Sequence, residues 1–229
     1  MNFNDAAFGG NLVEGNLLAN LVRETVDHGP YNSWDRQPYI YKDPQGKVTN
    51  EPVMSSVRKN FLFCSYGGVK GIDHDDGSGF YADSENFMPY CSGKMKGQTQ
   101  SLTGNVYLFP NWGPECVHMM GGMAAGVPMF YHNNTCVPST SDIYSSCDPD
   151  PSLNRYSGNT YYLPSGVAQD GTIEGFPCEC ADAKHQKGAP CAKGNWSKWV
   201  SSGQDKGTKI IHGMPTTETM IGWGRDLLF

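Results

Sequence analysis

Apolar positions along the chain come in short runs, and most of these runs follow an asparagine. The pattern reads Asn16-Leu17-Leu18, Asn60-Phe61-Leu62-Phe63, Asn86-Phe87-Met88, Asn105-Val106-Tyr107-Leu108, Asn134-Thr135-Cys136-Val137 and Asn159-Thr160-Tyr161-Tyr162. From Asn60 onward, successive asparagines are 26, 19, 29 and 25 residues apart. Such runs are too short for helices and suit strands. One strand-like run per period of about 20–30 residues is the mark of a stacked, repeating architecture, a solenoid. Each repeat then pairs its strands in parallel with the repeats before and after it and buries one face in a common apolar interior. Asparagine at the same bend of every repeat can donate and accept along a ladder. Gly10, Gly15, Gly104 and Gly158 beside the runs supply sharp bends. A leucine-rich horseshoe shares the period but needs a leucine density that this chain lacks.

Two stretches interrupt the array. Residues 29–56 carry Pro30, Pro38, Pro44 and Pro52, and residues 138–157 carry Pro138, Pro149 and Pro151. Both read as loops projecting from a rigid stack, the usual place for function. Residues 1–168 are therefore expected to form the β repeats, and residues 169–229 a Cys-rich capping segment. Within that segment, Trp196, Trp199 and Val200 at helical spacing predict a short helix from Asn195 to Ser202. Thr216 or Thr217 is placed to cap a last helix holding Met220, Ile221, Trp223, Leu227 and Leu228. Its apolar face is expected to cover the open C-terminal end of the stack.

Composition agrees with an all-β, turn-rich protein. Of 229 residues, 28 are Gly and 15 Pro, 12% are aromatic and only 17% charged, which excludes disorder. The net charge is −6 and no Lys/Arg run occurs, so nucleic acid is not the expected partner. No stretch of 18 apolar residues is present to span a membrane. Eight cysteines (Cys64, Cys91, Cys116, Cys136, Cys147, Cys178, Cys180 and Cys191) lack paired CxxC spacing and read as disulfides of an oxidising compartment. The sequons Asn133-Asn134-Thr135 and Asn195-Trp196-Ser197 agree with a secreted, glycosylated chain. Met1-Asn2-Phe3-Asn4-Asp5 is not an apolar leader, so the chain reads as a mature portion or a piece of a longer precursor. Cys64 and Cys91 follow their asparagines by four and five residues, which puts them on neighbouring repeats and predicts a disulfide between them. The other pairings stay open.

The segment Asp27-His28-Gly29-Pro30-Tyr31-Asn32-Ser33-Trp34-Asp35-Arg36-Gln37-Pro38-Tyr39 resembles one in the pectin-lyase-like β-helix proteins secreted by algae, oomycetes and related microbes. So does Asn60-Phe61 followed by Ile72-Asp73-His74-Asp75-Asp76-Gly77-Ser78. The tail from Gly207-Thr208 to Pro215, with Ile221-Gly222-Trp223-Gly224-Arg225, is similar to that group's C-terminal end. The resemblance covers most of the chain and implies a right-handed parallel β-helix. The wider superfamily holds polysaccharide lyases, glycoside hydrolases and epimerases, and also non-catalytic surface and fibre proteins, so fold alone does not choose among them. Family members usually carry several more coils before the Asp-His-Gly segment.

Two polar clusters are the candidate site. Asp27, His28, Asp35 and Arg36 bracket Trp34, and Asp73, His74, Asp75 and Asp76 form the second. Stacking could bring the clusters within roughly 10 Å, given the ~4.8 Å step between strands. Elimination from a uronate polymer needs a base, His28 or His74, and a cation such as Arg36 to hold the enolate. Hydrolysis would use two carboxylates, with Asp35 and Asp75 the natural pair. Tyr31 and Trp34 could stack on sugar rings, and Lys94 and Lys96 could bind a uronate carboxylate. The bland alternative is that Asp and Asn satisfy backbone donors at turns, Asp-Asp-Gly being an ordinary turn sequence. Calcium on Asp73, Asp75 and Asp76 is a further option, although Gly77 and Ser84 do not match an EF-hand loop. No other cofactor is implied. Cys178-Glu179-Cys180 reads as disulfide scaffold, and Met119, Met120, Met123 and Met129 as core filling.

The expected function is an extracellular carbohydrate-active or carbohydrate-binding protein, as polysaccharide lyase or glycoside hydrolase if catalytic. The alternative is a structural or adhesive glycoprotein. A stack that starts at its middle presents unpaired edges to a missing N-terminal segment or to another copy, and head-to-tail stacking yields filaments.

Overall fold

The computed structural model describes residues 1–4, 9–23, 27–34, 41–42, 45–49, 53–64, 70–75, 77–96, 98–111, 116–119, 129–139, 156–164, 172–173, 194–195, 200–201, 203 and 205–229. Within them the chain visits three sheets in rotation. The first sheet holds β1 (Asn2–Asn4), β4 (Tyr31–Trp34), β9 (Lys70–His74), β12 (Ser92–Met95) and β15 (Val117–Met119). The second holds β2 (Leu12–Glu14), β7 (Ser55–Arg58), β10 (Gly79–Ser84), β13 (Gln98–Thr103), β16 (Met129–His132) and β18 (Tyr156–Ser157). The third holds β3 (Leu17–Ala19), β8 (Phe61–Phe63), β11 (Phe87–Pro89), β14 (Val106–Leu108), β17 (Thr135–Val137), β19 (Thr160–Leu163) and β22 (Lys209–His212). Neighbours in each of these sheets pair in parallel. Two antiparallel pairs stand apart, β5 (Tyr41–Lys42) with β6 (Val48–Thr49) and β20 (Thr172–Ile173) with β21 (Gly194–Asn195). The chain is thus mostly β, with parallel sheets and a C-terminal helix.

The passage from second to third sheet is made the same way in each circuit. Gly15, Lys59, Glu85, Gly104, Asn133 and Gly158 have φ of 69, 52, 56, 68, 55 and 65°. Each directly precedes one of the repeat asparagines, so a single left-handed residue breaks the strand and the asparagine pins the corner. Side-chain Nδ2 donates to the next asparagine's Oδ1 from Asn16 to Asn60 (3.0 Å), Asn60 to Asn86 (3.0 Å), Asn86 to Asn105 (2.9 Å), Asn105 to Asn134 (3.1 Å) and Asn134 to Asn159 (3.3 Å). The backbone N–H of each of these donors reaches the same oxygen. The ladder ends where the Asn159 N–H donates to Thr208 Oγ1 at 3.0 Å.

Inside, Val13, Val57, Leu62, Ile72, Met88 and Leu102 form one continuous apolar stack with a set of buried tyrosines. Burial pushes the Tyr107 and Tyr131 phenols well up, so both stay protonated. Cys64 and Cys91 are disulfide-bonded between neighbouring circuits, with Cα atoms 5.2 Å apart, as their spacing predicts. A second bridge joins Cys116 to Cys136 at 6.0 Å. Cys147, Cys178, Cys180 and Cys191 lie outside the described residues.

Three expectations change. The stretches 29–56 and 138–157 are not loop throughout: Tyr31–Trp34 is β4 of the first sheet, Ser55 and Ser56 already belong to β7, and Tyr156–Ser157 is β18 of the second sheet. Asn195 sits in β21 rather than opening a helix, although Val200 and Ser201 are helical. The last helix, α1 (Thr217–Leu228), does form, and Thr216 caps it by accepting from the Thr219 N–H at 3.2 Å. It does not cover the end of the stack. Met220, Trp223 and Leu227 pack on the outer face of the third sheet, against a cluster built on Phe87, Leu108 and Val137. Gly224 is where the helix touches: a Cβ there would lie 3.0 Å from the Phe87 ring. An amphipathic helix seats on the largest apolar surface within reach, and the aromatic-rich third sheet offers it.

Candidate functional site

The candidate residues lie on the first sheet, and strand alternation sorts them. In β9, Ile72 and His74 face the interior while Asp73 faces out; in β4, Tyr31 and Ser33 face in and Asn32 out. Asn32 stands beside Asp73, Asp73 beside Lys94 and Lys94 beside His118 in register. The register slips between Ser92 and Gly93, which oppose Lys70 and Ile72 and leave Gly71 as an extra residue. A Cβ on Gly71 would sit 2.9 Å from Cys91 Cβ, toward the interior. This bulge lets Lys70 and Asp73 share the outer face although they are three residues apart.

An ion cluster results. Lys94 Nζ lies 2.9 Å from Asp73 Oδ1 and 2.8 Å from Asp75 Oδ1, Lys96 Nζ is 3.5 Å from Asp75 Oδ1, and Lys70 Nζ is 4.0 Å from Asp73 Oδ1. The Asp73, Lys94 and Lys70 side chains are 0, 3 and 5% exposed, whereas Asp75 and Lys96 are 23 and 21% exposed. The floor is therefore dry and the rim wet. Burial works against the charge on Lys94, but Asp73 and Asp75 more than offset it and hold its pKa above the usual lysine value. At Lys70 burial prevails over Asp73, Lys94 adds repulsion, and the pKa is lowered. Among the described residues, three ammonium groups face two carboxylates.

Several assigned roles do not survive this geometry. His74 points into the core, fully buried, with Nδ1 2.7 Å from Ser33 Oγ and Nε2 2.8 Å from Asp83 Oδ2. The Tyr81 ring stacks on it at 4.3 Å and the Tyr31 edge meets it at 5.9 Å. It cannot take a proton from an outside polymer. Ser33, His74 and Asp83 have the composition of a nucleophilic triad, but Ser33 and His74 are 0% and Asp83 1% exposed, so they form a core network. Tyr31, 1% exposed, cannot be a sugar platform either. Asp73 is buried and Lys94 is committed to two carboxylates, so neither meets a substrate freely. Lys94 Nζ also stands between Asp73 and Asp75 where calcium would have to sit. Among the described residues no group of three metal-ligating side chains occurs.

Lys96 and Asp75 reach the surface, and Trp34 is half-buried on the same strand as Asn32. His28 and Asp27 are exposed just before β4. Asp35, Arg36 and Asp76 lie outside the described residues. Of the sequon residues, Asn133 is exposed at a bend and Asn195 lies in β21. Sequence reasoning missed Lys70, Ser33 and Asp83. Ser33 and Asp83 lie on other strands whose register the sequence does not state, and Lys70 is re-aimed by the bulge.

No family description, no curated protein and no solved structure matches this chain.

Proposed function

We propose that this chain is a secreted, right-handed parallel β-helix protein that binds acidic polysaccharide along the outer face of its first sheet. The observation that carries the reading is the ion cluster on that face, in which Lys96 and Asp75 form an accessible rim over a buried floor of Lys94, Lys70 and Asp73. A flat parallel face suits an extended polymer. Lys96 can meet a uronate carboxylate as a point charge and Asp75 can accept from a sugar hydroxyl. Two disulfides and an exposed sequon asparagine support an extracellular setting. Binding is favoured over cleavage because His74, the base that the sequence assigns on β9, is sealed in the core.

The filament alternative meets one obstacle at the last corner of the asparagine ladder, where the Thr208 N–H and hydroxyl both donate back to Asp205, at 2.9 and 2.8 Å. Among the described residues β22 pairs on one side only, so that edge stays compatible with stacking.

Calorimetric titration with polygalacturonate and with a neutral glucan tests the reading. Saturable binding of the uronate polymer alone, weakened about three- to fivefold by Lys96→Ala, is expected. Absence of binding, or binding indifferent to Lys96, defeats it. Absorbance from unsaturated products in the same mixtures reports whether cleavage accompanies binding.

A further inference from the structure

A groove of about 550 Å³ runs between α1 and the third sheet. That size lies within the roughly 300–1,000 Å³ of small-molecule sites. Its walls are apolar: Phe61, Phe87, Tyr90 and Phe109 from the sheet side and Ile221 from the helix. One charged side chain lines it, Arg225, exposed in the last turn of the helix. No carboxylate of the described residues forms an ion pair with that guanidinium.

Two of the ring positions are held at a cost. Tyr90 and Phe109 follow their strands at equivalent places, and their N–H groups donate to Leu108 and Val137 carbonyls at 2.6 and 2.8 Å. Both have left-handed backbones, with φ of 61 and 50°. A non-glycine residue there is strained, and neither aromatic ring relieves it locally. The strain keeps two rings, 6.4 Å apart, on the groove wall where a glycine would leave it bare. Elsewhere the same backbone state is filled most often by glycine, as at Gly104, although Phe80, Val22 and Thr99 also hold it.

We infer that this groove binds a single-chain aliphatic carboxylate, with the hydrocarbon along Phe61, Phe87 and Phe109 and the carboxylate at Arg225. The apolar wall selects the chain by removing it from water, and the lone cation at the mouth selects the sign of the head group. Gly224 brings the helix against Phe87, which closes the groove at that contact. This site is remote in the fold from the ion cluster on the first sheet, so it stands or falls independently of polysaccharide binding.

The test is titration of the intact protein with laurate, below its micelle-forming concentration, and with dodecanol, followed by calorimetry. One saturable laurate site is expected. Arg225→Gln should weaken laurate about three- to fivefold and leave dodecanol unchanged. Ile221→Glu should weaken both at least about tenfold, by placing a carboxylate in the apolar wall. Ile221 is 63% exposed, so the fold tolerates that change, and near-UV circular dichroism verifies it. Absence of a saturable site, indifference of laurate to either substitution, or partition only onto phosphatidylglycerol vesicles would overturn the assignment.

Discussion

Asn86 and Asn105 are joined twice: the Asn86 backbone N–H and its Nδ2 both donate to Asn105 Oδ1, at 3.0 and 2.9 Å. Asn105 in turn gives its own Nδ2 to the Asp83 carbonyl at 3.0 Å and to Asn134 Oδ1. One buried side chain thus serves three circuits. Asn105→Ala leaves two buried donors of Asn86 without an acceptor, at about 1–3 kcal/mol each. A loss of at least about 3 kcal/mol is expected in urea unfolding, and Asn16→Ala, at the half-exposed first rung, should cost clearly less. Equal losses at the two positions would mean the ladder does not act as a buried network.

The left-handed residue before each asparagine makes an opposite pair of changes. Glu85→Gly relieves a backbone at φ 56°, and the exposed Lys59 partner at 3.7 Å contributes little. A rise in stability of up to about 1 kcal/mol is expected. Gly158→Ala adds a Cβ at φ 65° against the Asn133 side chain and should lower stability by more than about 1 kcal/mol. Thermal unfolding of both variants measures the contrast.

Peptide mapping without reduction should recover Cys64 linked to Cys91 and Cys116 linked to Cys136. Replacing Cys64 and Cys91 together by Ser opens a link across a sequence separation of 27 and should cost about 3–4 kcal/mol by chain entropy. A stability change near zero would show that the circuits already hold the two strands together unaided.

The two buried lysines make stability depend on pH in opposite senses. Lys70 has its folded pKa lowered below the 10.5 of a free lysine, so between the two values the unfolded chain binds more protons. Stability therefore rises with pH through the lowered value, and the wild type should gain on Lys70→Met as pH climbs from 7 toward 10. Lys94 is raised above 10.5, so its contribution is complete below that pH and fades only as pH passes the raised value. Urea midpoints of the wild type and both Lys→Met variants across this range and on above pH 10.5 check the signs, and a gap between wild type and Lys70→Met that does not move contradicts the first.

The periodic asparagines, the apolar runs after them, the Cys64–Cys91 bridge and a last helix capped at Thr216 or Thr217 were all readable from residues alone. Each is a local or strictly repeating feature, and a repeat brings equivalent positions together without further information. Which side of a strand a residue faces was not readable, because one extra residue at Gly71 resets the alternation. That reset puts Lys70 beside Asp73 on the outer face, and the inward facing of His74 makes the most tempting base a core residue bonded to Ser33 and Asp83. The seat of α1 was likewise a tertiary decision. An apolar helix face states that it will be buried but not against what, and here the aromatic wall of the third sheet won over the open end of the stack.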